Sequence, residues 1–269
     1  MSALDIDSKN LKPPYLIHSD IFKSFGLIKN EYRRLNGKVN PALLHLNLLV
    51  TSFGRENLIF PSFNYSFPKD KVFNLKTTQS DVGALTSYLI TKSLFERTQT
   101  PIFSFLTDIR ELLSGSLTPF SKKSVFDYLY LSDGTIVFYG AEISACTYLH
   151  YVEDQYGPPL FRYDKKFTGL IVDGDKSKET SVEFHVRPLG LDLDYNWEFL
   201  YGLLTHENVV HKLAPSVFAI KCKDISRIWG EFFNKDQFSI LSVGSQYSVK
   251  NHVKQLGRRF QQNDFEVTI

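Results

Sequence analysis

The run Cys146-Thr147-Tyr148-Leu149-His150-Tyr151-Val152-Glu153 places an imidazole and a carboxylate three residues apart at the start of a predicted helix. Residues at i and i+3 are neighbours on a helix surface, so Glu153 can hold one ring nitrogen of His150 and leave the other free to take up a proton. A carboxylate beside a histidine fixes its tautomer and is expected to keep its pKa near neutrality, which suits a general base. Amphipathic helices also place histidines beside acids for structural reasons alone, so the pair gains its meaning from its surroundings. The Thr147 hydroxyl is expected to cap this helix. Cys146 has two readings: a nucleophile four residues before the base, as a ping-pong route would need, or a small apolar core residue.

Several elements must carry this pair. Tyr15-Leu16-Ile17 reads as a buried strand ending in the polar His18-Ser19. Asn40-Pro41 supplies an N-cap and a first-turn proline for a helix whose apolar residues Ala42, Leu46, Leu49, Val50 and Phe53 recur at helical spacing up to Gly54. Leu58-Ile59-Phe60 is a second strand, ending at Pro61. Strand, helix and strand in that order predict a parallel crossover, and open sheets of this kind bind ligands beyond the carboxyl ends of their strands. His18, Ser19, Ser62 and Phe63 would lie there. Ser80 or Asp81 is expected to cap a helix bearing Leu85, Tyr88, Leu89 and Phe95; its first amides could hold a phosphate, although capping alone is the simpler role. Leu129-Tyr130-Leu131 and Thr135-Ile136-Val137-Phe138 flank Ser132-Asp133-Gly134 and read as a hairpin. Beyond Gly157-Pro158-Pro159 come strand-like runs around Asp173-Gly174-Asp175 and from Val182 to Val186. Two amphipathic helices follow, one after Asp224 and one after Ser248.

A chain of 269 residues, 43% hydrophobic, can bury a substantial core. One mixed α/β domain of three α/β/α layers with a mixed central sheet is the simplest account, with or without a smaller C-terminal lobe from about residue 170. Residues 1–13 read as a polar tail without the apolar run of a signal peptide, and no apolar stretch is long enough for a membrane span. The 31 Lys and Arg against 29 Asp and Glu leave a net charge of +2, too small to imply binding of nucleic acid or membranes. Cys146 and Cys222 have no metal-site spacing and no disulfide framework, which fits the cytoplasm.

In this order the segments resemble the aminoglycoside 3-N-acetyltransferase family, also called the antibiotic N-acetyltransferase family, along nearly the whole of residues 1–269. Leu16-Ile17-His18-Ser19 through Phe25-Gly26 is similar to the family's opening strand and loop, and Phe60-Pro61-Ser62-Phe63-Asn64-Tyr65-Ser66-Phe67 to its second. Ser80-Asp81-Val82-Gly83-Ala84-Leu85 is similar to its third motif. Thr147 through Glu153, followed by Arg162-Tyr163 and Lys165-Lys166-Phe167, is similar to its histidine motif and the basic-aromatic segment downstream. The resemblance implies acyl transfer from acyl-coenzyme A, most simply acetyl-CoA, to the amine of a sugar-like acceptor, without a metal. His150 would be the general base, Glu153 its orienting partner, and Thr147 or a nearby amide the donor to the thioester oxygen. His18, Ser19, Lys23, Ser24, Phe25, Ser62, Phe63 and Ser104 would lie at the coenzyme, whose phosphates Lys122 and Lys123 could also meet. The implied partners are acyl-CoA and an amino sugar, with a homodimer left open.

The resemblance has two gaps. Family members often carry a histidine before the proline in the segment that here reads Arg97-Thr98-Gln99-Thr100-Pro101, and a glycine-rich Ser-Pro stretch in place of Phe120-Ser121-Lys122-Lys123-Ser124-Val125. Both bear on the acceptor. Aminoglycosides are polycations best steered by net negative charge, whereas this chain is slightly basic. A nucleotide-linked amino-deoxy sugar for bacterial surface polysaccharide is therefore the expected acceptor. An antibiotic-inactivating enzyme of the same chemistry is the alternative, and a non-catalytic binding relative a second one. His45, His185, His206, His211 and His252 carry no motif.

Overall fold

The computed structural model describes residues 11–266. In chain order the elements are β1 (Tyr15–Ser19), α1 (Lys29–Arg34), α2 (Pro41–Phe53), β2 (Leu58–Pro61), α3 (Phe67–Asp70), β3 (Val72–Asn74), α4 (Ala84–Thr91), β4 (Glu96–Arg97) and β5 (Phe105–Thr107). There follow α5 (Val125–Leu131), β6 (Thr135–Tyr139), α6 (Leu149–Gln155), β7 (Tyr163–Asp173) and β8 (Lys176–Val186). The chain closes with α7 (Trp197–His206), β9 (His211–Ala214), β10 (Val217–Lys221), α8 (Cys222–Lys235) and α9 (Val243–Leu256).

Seven strands form the central sheet in the order β4-β5-β2-β1-β6-β10-β9, and β3-β7-β8 form a second sheet. The first sheet is mixed: β1 runs parallel to β2 and β6, while β5 and β10 pair antiparallel to β2 and β6. Alternate residues of each central strand enter opposite cores, as the two-residue period of a strand requires. Tyr15, Ile17, Leu58, Phe60, Val137 and Tyr139 pack with α2 and α4. Leu16, Ile59, Ile136 and Phe138 face the other way, into a core shared with α5, α6, α7 and α8. Both faces are therefore covered, which gives the expected three-layer α/β/α arrangement.

The β1-α2-β2 crossover forms as the spacing predicts. Asn40 Oδ1 accepts from Ala42 N at 2.8 Å, Pro41 opens α2, and Gly54 at φ 77° ends it. The hairpin expected around Ser132-Asp133-Gly134 is instead a helix-to-strand junction. Ser124 Oγ accepts from Asp127 N at 3.1 Å and starts α5, which buries Val125, Phe126 and Leu129. Asp133 turns the chain at φ 54°, and Gly134 N donates to Leu129 O at 2.8 Å. A residue in the left-handed region ends a helix as readily as it joins two strands, so the Asp-Gly pair does not by itself distinguish the two.

Two caps are also corrected. Ser80 Oγ accepts from Val82 N at 3.2 Å, the Asp81 carboxylate accepts from Tyr65 N at 2.6 Å, and Gly83 occupies the N-cap of α4 without a side-chain bond. Tyr148, not Thr147, occupies the N-cap of α6; the Thr147 hydroxyl leans towards Ala145 O at 3.4 Å. The last helices begin earlier than expected, α8 at Cys222 and α9 after Ser242, whose side chain accepts from Ser245 N at 3.3 Å.

The C-terminal segment does not stand apart as a lobe. β10 pairs along its length with β6, and β3 joins the β7-β8 hairpin. Of the tail expected over residues 1–13, the first ten residues lie outside the described part. Leu11 is already buried, and Lys12 N donates to Thr135 Oγ1 at 3.2 Å.

Candidate active site

Helix α6 carries His150 and Glu153 on one face, and the histidine Nδ1 lies 2.9 Å from Glu153 Oε2. Glu153 has no exposed side-chain surface, whereas His150 keeps 23% of its own. A carboxylate sealed from water costs several kcal/mol unless a cation and hydrogen-bond donors compensate it, and three other elements supply them. Arg162, immediately before β7, brings its Nε to 3.3 Å from Glu153 Oε2, a charge contact outside hydrogen-bonding geometry. Tyr195, just before α7, donates from its hydroxyl to Glu153 Oε1 at 2.6 Å and accepts from Arg162 Nη2 at 2.5 Å. His185, near the end of β8, places Nε2 at 3.7 Å from Glu153 Oε2 and Nδ1 at 4.0 Å from Asp154 Oδ1. Phe120 closes the side of the site, its ring centroid 5.0 Å from that of His150.

The electrostatics follow from this packing. Burial alone would raise the Glu153 pKa, but the Arg162 guanidinium and the hydrogen bond from His150, with His185 close by, hold it well below the usual range. His150 is pushed down to about 4, first by burial and then by Arg162, and these outweigh its bond to Glu153. The expected near-neutral value does not arise, because burial, aided by the Arg162 charge, outweighs the rise that Glu153 would give. An ionised carboxylate only accepts hydrogen bonds, so the proton of neutral His150 sits on Nδ1. Its Nε2 makes no hydrogen bond among the described residues and keeps its lone pair.

His150, Glu153 and His185 are also the one group of metal-ligating side chains within mutual reach among the described residues. The Arg162 cation against the same carboxylate oxygen opposes a metal ion there.

A cleft of about 410 Å³ opens beyond the carboxyl ends of β1 and β2, and its wall reaches Thr147, three residues before His150. His18, Ser19, Phe63, Tyr65, Gly83 and Thr86 line it from one side, and Ala141, Ser144 and Thr147 from the loop that leads into α6. Of the residues singled out in the sequence, His18, Ser19, Phe63 and Thr147 are therefore brought together. The first turn of α4, without a side-chain cap, borders the same space and offers free amides to a ligand.

Lys23, Ser24, Phe25, Ser62 and Ser104 do not line this cleft. Ser62 and Ser104 are fully buried 2.9 Å apart, and Arg97 Nε donates to both, at 3.2 and 3.0 Å. They are used in holding a buried arginine that also lies over the Phe73 ring at 4.7 Å. Ser24 is buried with its hydroxyl donating to Asp20 O at 2.8 Å, Phe25 packs on Tyr32, and Lys23 pairs with Glu142 on the surface. The segment from Arg97 to Pro101 is thus part of the core, whereas Phe120 does border the site. Cys146 is buried with its thiol pushed up to about 12 by burial, so it offers no thiolate at neutral pH.

Spacing alone does not reveal His185 and Tyr195. Tyr195 lies 42 residues from Glu153, and neither residue sits in a local pattern. Arg162 belongs to a segment whose resemblance gives it no role of its own.

The sequence profile of the aminoglycoside 3-N-acetyltransferase family matches residues 57–234, a span that holds α6, Arg162, His185 and Tyr195. The chain belongs to the aminoglycoside 3-N-acetyltransferase family. Its members are acetyltransferases that use acetyl-coenzyme A as acyl donor, which places the chain among the N-acyltransferases. No curated protein matches by overall sequence. Solved structures of the same fold include aminoglycoside acetyltransferase AAC(3)-IVa as apoenzyme, with TM-score 0.65, 16% identity, and coverage of 90% of this chain and 92% of that one. AAC-IIIb in binary complex with CoASH gives TM-score 0.66, 14% identity, and coverage of 85% and 92%. The YokD protein from Bacillus subtilis gives TM-score 0.63, 14% identity, and coverage of 87% and 92%. These identities are low and establish the shared fold. Among the described residues no helix is long and apolar enough to cross a membrane.

Proposed function

We propose that residues 1–269 act as one catalytic domain that transfers the acetyl group of acetyl-coenzyme A directly to an amine of an aminoglycoside, with His150 as general base. The observation that carries this reading is the His150–Glu153 pair, whose Nδ1 is committed to the carboxylate while Nε2 stays free. A neutral acceptor amine attacks the thioester carbonyl carbon, and the new C–N bond forms as Nε2 takes the amine proton. The C–S bond then breaks, and the departing sulfur receives a proton from the His150 imidazolium, which restores the neutral ring. Thr147, at the cleft and three residues before His150, is the candidate donor to the thioester oxygen as charge grows on it. His18, Ser19 and Phe63 are the candidate walls of the coenzyme site. The buried, unactivated Cys146 favours this direct route over a covalent acyl-enzyme.

The aminoglycoside acceptor has the better support. It is the substrate class of the family, and the AAC(3)-IVa structures include complexes with a gentamicin and with apramycin. A net charge of +2 is the feature that favours the nucleotide-linked amino sugar. Two buried free cysteines fit work in a reducing cytoplasm. Thiol release from acetyl-CoA, measured against gentamicin-like and apramycin-like acceptors and nucleotide-linked amino sugars, tests the assignment. Turnover on the aminoglycosides is expected, and turnover confined to nucleotide sugars would reverse the acceptor while keeping the chemistry.

A further inference from the structure

We propose that Tyr195 is a positioning residue for the transfer, holding the Glu153 carboxylate so that His150 keeps its proton on Nδ1 and its lone pair on Nε2. This role rests on the reading of His150 as the base.

The hydroxyl of Tyr195 has one proton and gives it to Glu153 Oε1 at 2.6 Å. It accepts from Arg162 Nη2 at 2.5 Å, so its donor and one acceptor site are both spent within the cluster. Glu153 Oε2 is then the oxygen left for His150 Nδ1 at 2.9 Å. The hydroxyl also lies 3.4 Å from His150 Nδ1. Its proton is committed to the carboxylate, so it cannot donate to that nitrogen and favour the opposite tautomer.

The fold fixes Tyr195 from both sides. Tyr195 forms a bridge with Leu241, Asn196 N donates to Ile240 O at 2.9 Å, and Ser242 N donates to Asp194 O at 2.8 Å. Asp194 N in turn donates to Ser245 Oγ at 2.9 Å, and Asn196 Oδ1 accepts from Phe199 N at 3.0 Å as the N-cap of α7. The starts of α7 and α9 are thus stitched around one tyrosine. Its ring packs against Trp197 at a centroid distance of 5.4 Å and is 9% exposed. Among the described residues the Tyr195 hydroxyl contacts Glu153, Arg162 and His150, so its contribution falls on the rate of transfer and not on substrate binding.

Tyr195→Phe keeps the ring and removes only the hydroxyl, leaving Glu153 Oε1 without a donor in a site closed to water. A lost hydrogen bond to a charged group corresponds to about a ten- to hundredfold change in rate. The expected result is a fall of that size in kcat, with KM for acetyl-CoA and for acceptor unchanged and the protein still folded. Nitrogen NMR of His150 should at the same time show a mixture of tautomers in place of one. Site-specific difluorotyrosine at position 195 keeps the shape and changes the acidity of the hydroxyl, and it should alter kcat without altering the fold. His150→Ala, assayed alongside, separates the two readings. An inactive His150→Ala with a Tyr195→Phe enzyme of wild-type kcat and a single His150 tautomer would overturn the positioning role alone. A fully active His150→Ala would remove the base assignment on which that role depends.

Discussion

Arg162 stands 3.3 Å from the fully buried Glu153 carboxylate, and this contact sets the electrostatics of the site more than the adjacent histidine does. Burial first, and then the guanidinium that balances the carboxylate, push the His150 pKa down to about 4 and keep the ring neutral. Glu153 therefore orients the imidazole, while the rise in basicity it gives is outweighed by burial and Arg162.

The first consequence is kinetic. With the His150 pKa lowered from 6.5 to about 4, log kcat/KM should show no inflection at the ordinary imidazole value. It should instead rise with pH until the acceptor ammonium is deprotonated, since only the free amine attacks. A pH-rate profile with acceptors of different amine pKa checks this: the inflection should move with the acceptor. A fixed inflection at the ordinary histidine value of about 6.5, independent of acceptor, would contradict the neutral-base account.

Stability should respond to acid for the same reason. His18, His45 and His150 are each pushed down to about 4, with burial the leading cause in all three. Between that value and the ordinary 6.5 the unfolded chain binds these protons and the folded chain does not, so stability falls as the pH drops through this window. Each histidine should cost about 2 kcal/mol by about pH 5. Glu153, held low in the fold, adds to the loss only below the usual carboxylate range. Urea unfolding at about pH 7, 6 and 5 should give a falling ΔG with uptake of more than one proton, and a flat profile would refute it.

Cys146 tests the direct route. Its buried thiol, raised to about 12, has no accessible thiolate at neutral pH. Cys146→Ala should leave kcat unchanged and lower stability by about 1 kcal/mol through the small cavity it opens. Loss of turnover in a folded Cys146→Ala protein, or a burst of thiol release before acceptor is added, would favour a covalent intermediate.

Much of the frame is legible in the sequence because it depends on local rules. The β1-α2-β2 unit shows itself through an Asn-Pro start, helical spacing and a Gly stop, and the β7-β8 hairpin through its Asp-Gly-Asp turn. The His150–Glu153 pair is legible because i and i+3 meet on any helix. Arg162, His185 and Tyr195 reach Glu153 from separate elements, and no spacing encodes such a meeting. Ser62 and Ser104 hold a buried arginine, and a serine at a strand end looks the same in sequence whether it faces a ligand or such an arginine.

Gly140 links the fold to the cleft. It follows β6 at φ 74°, its amide donates to Ser216 O at 2.8 Å, and a Cβ there would collide with the Asp20 carbonyl. Gly140→Ala should destabilise the protein by about 2 kcal/mol or more, and it should raise KM by displacing the loop that carries Ala141, Ser144 and Thr147. Thermal unfolding together with steady-state kinetics reads both effects, and an alanine variant with unchanged stability would contradict the steric argument.

The most direct test of the base assignment is single-turnover acetyl transfer to an aminoglycoside by His150→Ala, with coenzyme binding measured on the same protein. A fall of about a hundredfold or more in the transfer rate, with coenzyme affinity retained, is the predicted result. Transfer at the wild-type rate in the variant would show that another group takes the amine proton.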